Sequence, residues 1–204
     1  SVNQRNGAHL LRLALLSQAT LQQWREEDRL DGFAWQRNGK LVAFREQVNF
    51  DKARKKVLNS AWQQALSASE CASLEPGLQG SAFAGGIYTP SEEVGDCHAF
   101  CQQPTARLKA SGRCTFLLGK TVTRIRHANG AVHAVEMGDE VLDVDQLVLA
   151  AGHNSPALRL PGLNLALYPL KGYSLTLALS DPQKAPQMSI TDYDRKIVYA
   201  RIGE

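Results

Sequence analysis

Residues 121–156 read TVTRIRHANGAVHAVEMGDEVLDVDQLVLAAGHNSP, and the parsing of this stretch decides the fold. Asn129-Gly130 tolerates the positive φ angles of a type I′ turn, and Gly138-Asp139 offers a second two-residue reversal. The segment from Thr121 through Met137 to Val144 is therefore predicted to be a three-stranded meander. Directly after it, Leu147, Val148, Leu149, Ala150 and Ala151 form an unbroken apolar run closed by Gly152. That pattern predicts a parallel strand covered on both faces, in a different sheet. A buried strand ending in small residues and glycine lets a ligand's backbone or phosphate lie close to the main chain, at the carboxyl edge of the sheet.

Composition narrows the class. The 204 residues are 44% hydrophobic, enough for one large domain or two small ones. Lysine and arginine exceed aspartate and glutamate by only 23 − 20 = 3, with both signs interspersed. No basic stripe tracks a phosphate backbone, so nucleic acid is not expected as a partner. No apolar stretch approaches the roughly 20 residues of a bilayer span, and the opening SVNQRNG lacks the regions of a secretory signal. Cys71, Cys97, Cys101 and Cys114 match neither a zinc knuckle nor a disulfide framework, even with His98 beside Cys97. Thiols in a reducing compartment and no metal site are expected.

Working outward from the meander, Leu10, Leu13, Ser17, Leu21 and Trp24 fall on one helical stripe between Ala8 and Asp28, widened by Leu11 and Leu15, with Gly32 as the stop. Phe33–Gln36 and Lys40–Arg45 flank Arg37-Asn38-Gly39 as a hairpin would, and Asn49 or Asp51 is placed to cap a second helix through Ala65. Ser81–Thr89, with Gly85-Gly86, reads as a strand pressed against something that leaves little room for side chains. Asp96 is placed to cap a helix from Cys97 to Ser111-Gly112, in which Pro104 predicts a kink or restart. Arg113–Leu118 reads as a strand completing half of a crossover unit. Beyond Pro161-Gly162, Leu165–Leu179 alternates loosely, Asp181–Pro186 is loop and Lys196–Ile202 is a strand. That last strand is still running at Arg201-Ile202-Gly203-Glu204, which gives the expectation of a longer parent protein.

Signatures of hydrolysis are absent: no GxSxG, no zincin histidine pair, no P-loop. The dinucleotide fingerprint GxGxxG is absent as well, since no two glycines lie two positions apart. Asp143 and Asp145 read as solvated edge carboxylates, and His153 as a loop histidine open to solvent or ligand.

The order of elements, together with GGIYTPSEEVGDCHAF, LAAGHNSPAL and YPLKGYSLT, resembles the D-amino-acid oxidase superfamily of flavoproteins, and within it the small subunits of bacterial D-amino-acid dehydrogenases. The resemblance covers nearly the whole chain, as a central segment. It implies a mixed α/β (α+β) fold: a portion of a Rossmann-like FAD-binding domain with its meander, plus a mixed-sheet substrate domain. It divides the chain into a bracing helix (1–32), a first substrate-domain segment (33–92), an FAD-domain portion (93–162) and a second substrate-domain segment (163–204). It also implies FAD contacts at Val122, through its backbone to the adenine, and at the small-residue loop Ala150, Ala151, Gly152. The acidic ribose partner and the arginine that grips a substrate carboxylate in relatives have no counterpart here, and Pro104 interrupts a helix that relatives keep regular.

Oxidation of an α-amino acid needs the amine unprotonated, the Cα hydrogen aimed at the flavin and the carboxylate held by a cation. Lys171 with Tyr173, and Tyr199 with Arg201, each place a cation and a hydroxyl two apart on an expected strand, hence on one face. Tyr199 also matches a pocket tyrosine of the family. These four are the candidate catalytic residues. The resemblance further implies a D-amino acid substrate, an electron acceptor such as a quinone or the respiratory chain, and a cytoplasmic location or a peripheral one on the inner face of the plasma membrane. Two alternatives stand beside it: an oxidase of glycine, sarcosine or another secondary amine, and a flavoprotein-like interaction domain without turnover.

Overall fold

The structure, a computed structural model, describes residues 2–182 and 185–203. Gln183 and Lys184 of the expected 181–186 loop, and the terminal Glu204, lie outside the described residues. The chain divides into two compact units, residues 1–113 with 178–204, and residues 114–177.

In the first unit a five-stranded mixed sheet has the order β2 (Gln64–Ser67), β3 (Gly85–Thr89), β1 (Lys40–Phe44), β7 (Ser189–Asp192), β8 (Ile197–Tyr199). Only β1 and β7 run parallel, and the other neighbours are antiparallel. Side chains alternate across β1, so each face of the sheet has its own core. Leu41 and Ala43 join Cys71, Met188 and Ile190 on one face, which α3 (Ala68–Leu74) covers. Phe44 joins Ile87 and Phe50 on the other, which α2 (Gln47–Val57) covers.

The Gly85-Gly86 pair explains how both helices approach β3. A Cβ on Gly85 would lie 2.5 Å from the Phe50 ring and 2.7 Å from the Leu66 carbonyl; one on Gly86 would lie 2.7 Å from Leu41 and 2.9 Å from the Cys71 sulfur. The tight strand expected over Ser81–Thr89 is thus present, at Gly85–Thr89. Two remote carboxylates complete the unit. Asp194 accepts from the backbone N–H of Arg45 (2.6 Å) and Glu46 (3.2 Å) and from Asn49 Nδ2 (2.7 Å), holding the start of α2 from the β7–β8 turn. Glu75 accepts from the N–H groups of Gly77, Gln187 and Met188.

Several sequence expectations change here. The hairpin around Arg37–Gly39 does not form: Gln36 bridges Val94, and β1 takes its partners from β3 and β7. Long-range pairing outcompetes a local turn whose first arm carries too few ladder bonds. The second helix stops at Val57 rather than running through Ala65, and Glu46 stands at its N-cap position. The first helix, α1 (Val2–Glu27), ends before Gly32, with Arg29 taking the left-handed conformation (φ 50°) and Arg107 donating to the Asp28 and Arg29 carbonyls. Its leucine stripe (Leu10, Leu11, Leu13, Leu15) is exposed, whereas Trp24 stacks on Phe100. Helix α4 (Cys97–Ala110) begins on the expected cap, Asp96 accepting from the N–H groups of His98 and Ala99, and runs through Pro104 as one helix without a restart.

The second unit contains the meander, β4 (Arg124–Ala128), β5 (Ala131–Met137) and β6 (Glu140–Asp143). Asn129 (φ 52°) and Gly130 (φ 79°) form its first turn, and a bulge falls at Arg126/His127. Ile125 and Val135, directly opposed, are buried with Ala134. The predicted buried parallel strand Leu147–Ala151 is not a strand: the segment carries no ladder, and Val148 is 89% exposed. Arg113–Leu118 and Leu165–Leu179 likewise form no strand. An apolar run acquires strand character from neighbours that accept and donate its backbone bonds. Among the described residues none pairs with these three.

The four cysteines are free, with Cys71 buried and Cys97, Cys101 and Cys114 exposed. Burial, reinforced by the neighbouring Glu70 charge, pushes the Cys71 thiol up to about 11. Alkylation of the native chain is expected to modify the other three and spare Cys71 until denaturant is added; mass spectrometry showing four rapid additions would contradict the burial of the α3 face.

Candidate functional site

The candidate residues divide between the two units. Tyr199 and Arg201 belong to the first; Lys171, Tyr173, Val122, Ala150, Ala151 and Gly152 belong to the second.

Tyr199 ends β8, opposite Ile190, and is exposed. Arg201 lies just beyond the strand, and its Nη1 donates to the Pro182 carbonyl (3.2 Å) and Gln187 Oε1 (3.0 Å), so one arm of its guanidinium ties the chain end to the loop before β7. Lys171 and Tyr173 do meet, the ammonium 5.8 Å from the ring centroid, at the outer limit of a cation–π contact. They do so on extended chain, not on the strand expected for them, and Tyr173 is 90% exposed.

The backbone from Ala150 to Gly152 is open rather than covered by side chains of the chain itself. Gly152 has φ 55°, a Cβ built on it would meet nothing within 4 Å, and a 3₁₀ turn (Gly152–Leu158) starts there. An exposed, side-chain-poor main chain bending through a left-handed residue suits close approach of a flat ring or a phosphate. Val122 is partly exposed on the extended segment leading into β4. These residues fit one wall of a flavin nucleotide site; a pyrophosphate grip is not among them.

A polar cluster in the first unit was not read from the sequence. Glu93 accepts from Trp35 Nε1 (3.0 Å) and Arg37 Nε (3.1 Å), while the Arg25 guanidinium stacks 3.1 Å from the Trp35 ring centroid. Its members come from three distant segments with no spacing in common. With both Glu93 oxygens engaged by donors, the cluster works as a clasp between α1 and the segment before β1. Among the described residues no group of three or more His, Cys, Asp or Glu side chains is arranged to hold a metal ion.

The mixed α/β architecture agrees with that of solved glycine oxidases. The glycine oxidase of Bacillus cereus superposes with a TM-score of 0.61 at 19% identity, over 73% of this chain and 42% of the other, and that of Geobacillus kaustophilus with 0.59 at 18%, over 72% and 40%. At such identities the likeness concerns fold. Residues 2–203 match the DAO family, FAD dependent oxidoreductase, and the chain belongs to that family. Among its relatives, D-amino acid dehydrogenase 2 of Pseudomonas aeruginosa is 60% identical over all 204 residues, and D-amino acid dehydrogenase 2 of Ralstonia nicotianae is 38% identical over 98% of the chain. The chain spans about half the length of these curated relatives, 49% of each.

Proposed function

We propose that this chain belongs to an FAD-dependent dehydrogenase that converts D-amino acids such as D-alanine to 2-oxo acids and ammonia, passing the electrons to a carrier. The observation that carries this reading is the 60% identity, along the whole chain, to a protein named D-amino acid dehydrogenase 2. The shared name of the relatives favours a dehydrogenase over an oxidase of glycine or sarcosine, and over a domain without turnover.

In this reading FAD, when bound, accepts the two electrons and the hydrogen removed from the substrate Cα. The role of the chain's own residues is positioning. Val122 and the Ala150–Gly152 backbone line the nucleotide. Tyr199 with Arg201 on the first unit, and Lys171 with Tyr173 on the second, are each assigned the role of offering a hydroxyl and a positive charge to the substrate. We further propose residues 1–32 as a brace, 33–92 and 163–204 as substrate-domain segments and 93–162 as the FAD-domain portion. A quinone or respiratory-chain acceptor fits a location in the cytoplasm, peripherally on the inner face of the plasma membrane.

The test joins this chain to the portions of the Pseudomonas aeruginosa relative that it does not span and titrates the purified protein anaerobically. D-Alanine, and not L-alanine, is expected to bleach the flavin absorbance, and an artificial quinone to restore it faster than oxygen does. Tyr199→Phe is expected to raise KM about tenfold, the cost of one hydrogen bond to a charged group. Flavin indifferent to D-alanine sinks the reading; rapid peroxide release returns the oxidase alternative. The chain by itself is expected to purify without stoichiometric flavin.

A further inference from the structure

Between Asp51 and Glu70 the chain has no acidic residue and carries Lys52, Arg54, Lys55 and Lys56, all exposed on α2. Among the described residues none of the four forms an ion pair. Just past them stand two exposed apolar side chains, Leu58 (68%) and Trp62 (74%). The exposure of Trp62 does not come from a loose loop. Ser60 N–H donates to the Val57 carbonyl, Ser60 Oγ accepts from the N–H groups of Trp62 (3.2 Å) and Gln63 (3.1 Å), and Gln63 Nε2 donates to Thr89 Oγ1 on β3 (3.1 Å). The reversal is built, Ser60 and Gln63 on either side of Trp62 are held, and the indole itself projects into solvent.

We propose that this reversal and the basic end of α2 dock the protein on an anionic phospholipid surface, Leu58 and Trp62 entering the headgroup region while the four cations neutralise lipid phosphates. It deepens the peripheral location proposed above and rests on that reading for its biological setting. Indole with a polar N–H is the side chain suited to the boundary between headgroup and hydrocarbon. Three of the four cations are lysines, point charges that suit a diffuse array of anions better than a single bidentate partner. A protein partner would need a complementary surface of about 800 Å² on each side, whereas two apolar side chains on a turn need only a soft, disordered medium.

Flotation of the intact 204-residue chain with vesicles tests this, because free or aggregated protein does not float. Binding is expected to vesicles rich in phosphatidylglycerol, to be weak on pure phosphatidylcholine, and to fall at about 0.5 M salt. Lys55→Glu with Lys56→Glu is expected to weaken binding at least tenfold, and Trp62→Ala about fivefold, while Trp62→Phe retains most of it. Circular dichroism should be unchanged, since none of these side chains is buried. Alanines at Leu10 and Leu13 should leave the preference for anionic lipid intact. Equal binding to both lipids, no flotation, or variants that bind like the parent would overturn the proposal, as would retention by an acidic protein without lipid binding. No arm reads turnover: a protein that oxidises D-alanine yet ignores vesicles removes this proposal alone.

Discussion

Replacing Glu75 with alanine is expected to destabilise the first unit by about 4 kcal/mol, the largest single loss anticipated in the chain. Glu75 is 1% exposed, and its carboxylate accepts from Gln187 N–H at 2.7 Å, Gly77 N–H at 3.2 Å and Met188 N–H at 3.3 Å. Hydrogen bonds to a charged group contribute roughly 1.5–3 kcal/mol each when measured singly, and they do not add fully, so three give about 4. Two of the three bonds join segments more than a hundred residues apart and hold the approach to β7, hence β8 and Tyr199. Glu75→Gln should lose about half as much: its carbonyl serves one side, while its amide NH₂ sets a donor against a donor on the other. Urea denaturation followed by tryptophan fluorescence reads both, and an alanine variant within about 1 kcal/mol of the parent would mean that water takes over the three N–H groups.

Asp192→Ala should cost about 2–3 kcal/mol, somewhat less than a wholly buried pair would. Asp192 is fully buried at the end of β7 and accepts from Arg45 Nε at 2.8 Å and from Arg195 N–H at 3.1 Å. Its partner softens the loss, because the Arg45 side chain is a quarter exposed and lies 4.3 Å from the Phe83 ring, so an abandoned guanidinium reaches water and keeps its aromatic contact. The Arg195 N–H has no such outlet. Combining Arg45→Met with Asp192→Ala should therefore recover some of the single-variant loss; a double variant worse than the sum of the two would show that the pair is not the source of the coupling.

The two carboxylates show what was hidden in the sequence. Neither Glu75, just before Pro-Gly, nor Asp192 carries a local signal of its role, because a buried hydrogen bond is defined by partners that the fold imports from elsewhere. The same holds for Asp194 at the start of α2 and for the Arg25–Trp35–Glu93–Arg37 clasp. The β1–β7 parallel pair, joined across about 150 positions, leaves no local trace either.

Elements governed by neighbours within a few residues were legible from the chain alone. Asn129-Gly130 dictates its turn through backbone sterics, Asp96 its cap through one side-chain oxygen, and Gly85-Gly86 declares a strand under close packing; the motifs around LAAGHNSPAL and YPLKGYSLT point to the flavoprotein family. Only the tertiary structure decided which apolar runs become strands. Leu147–Ala151 has the composition of a central strand and stands unpaired, because hydrophobic composition supplies the tendency to be buried while the partner that accepts the backbone bonds must come from elsewhere in the fold.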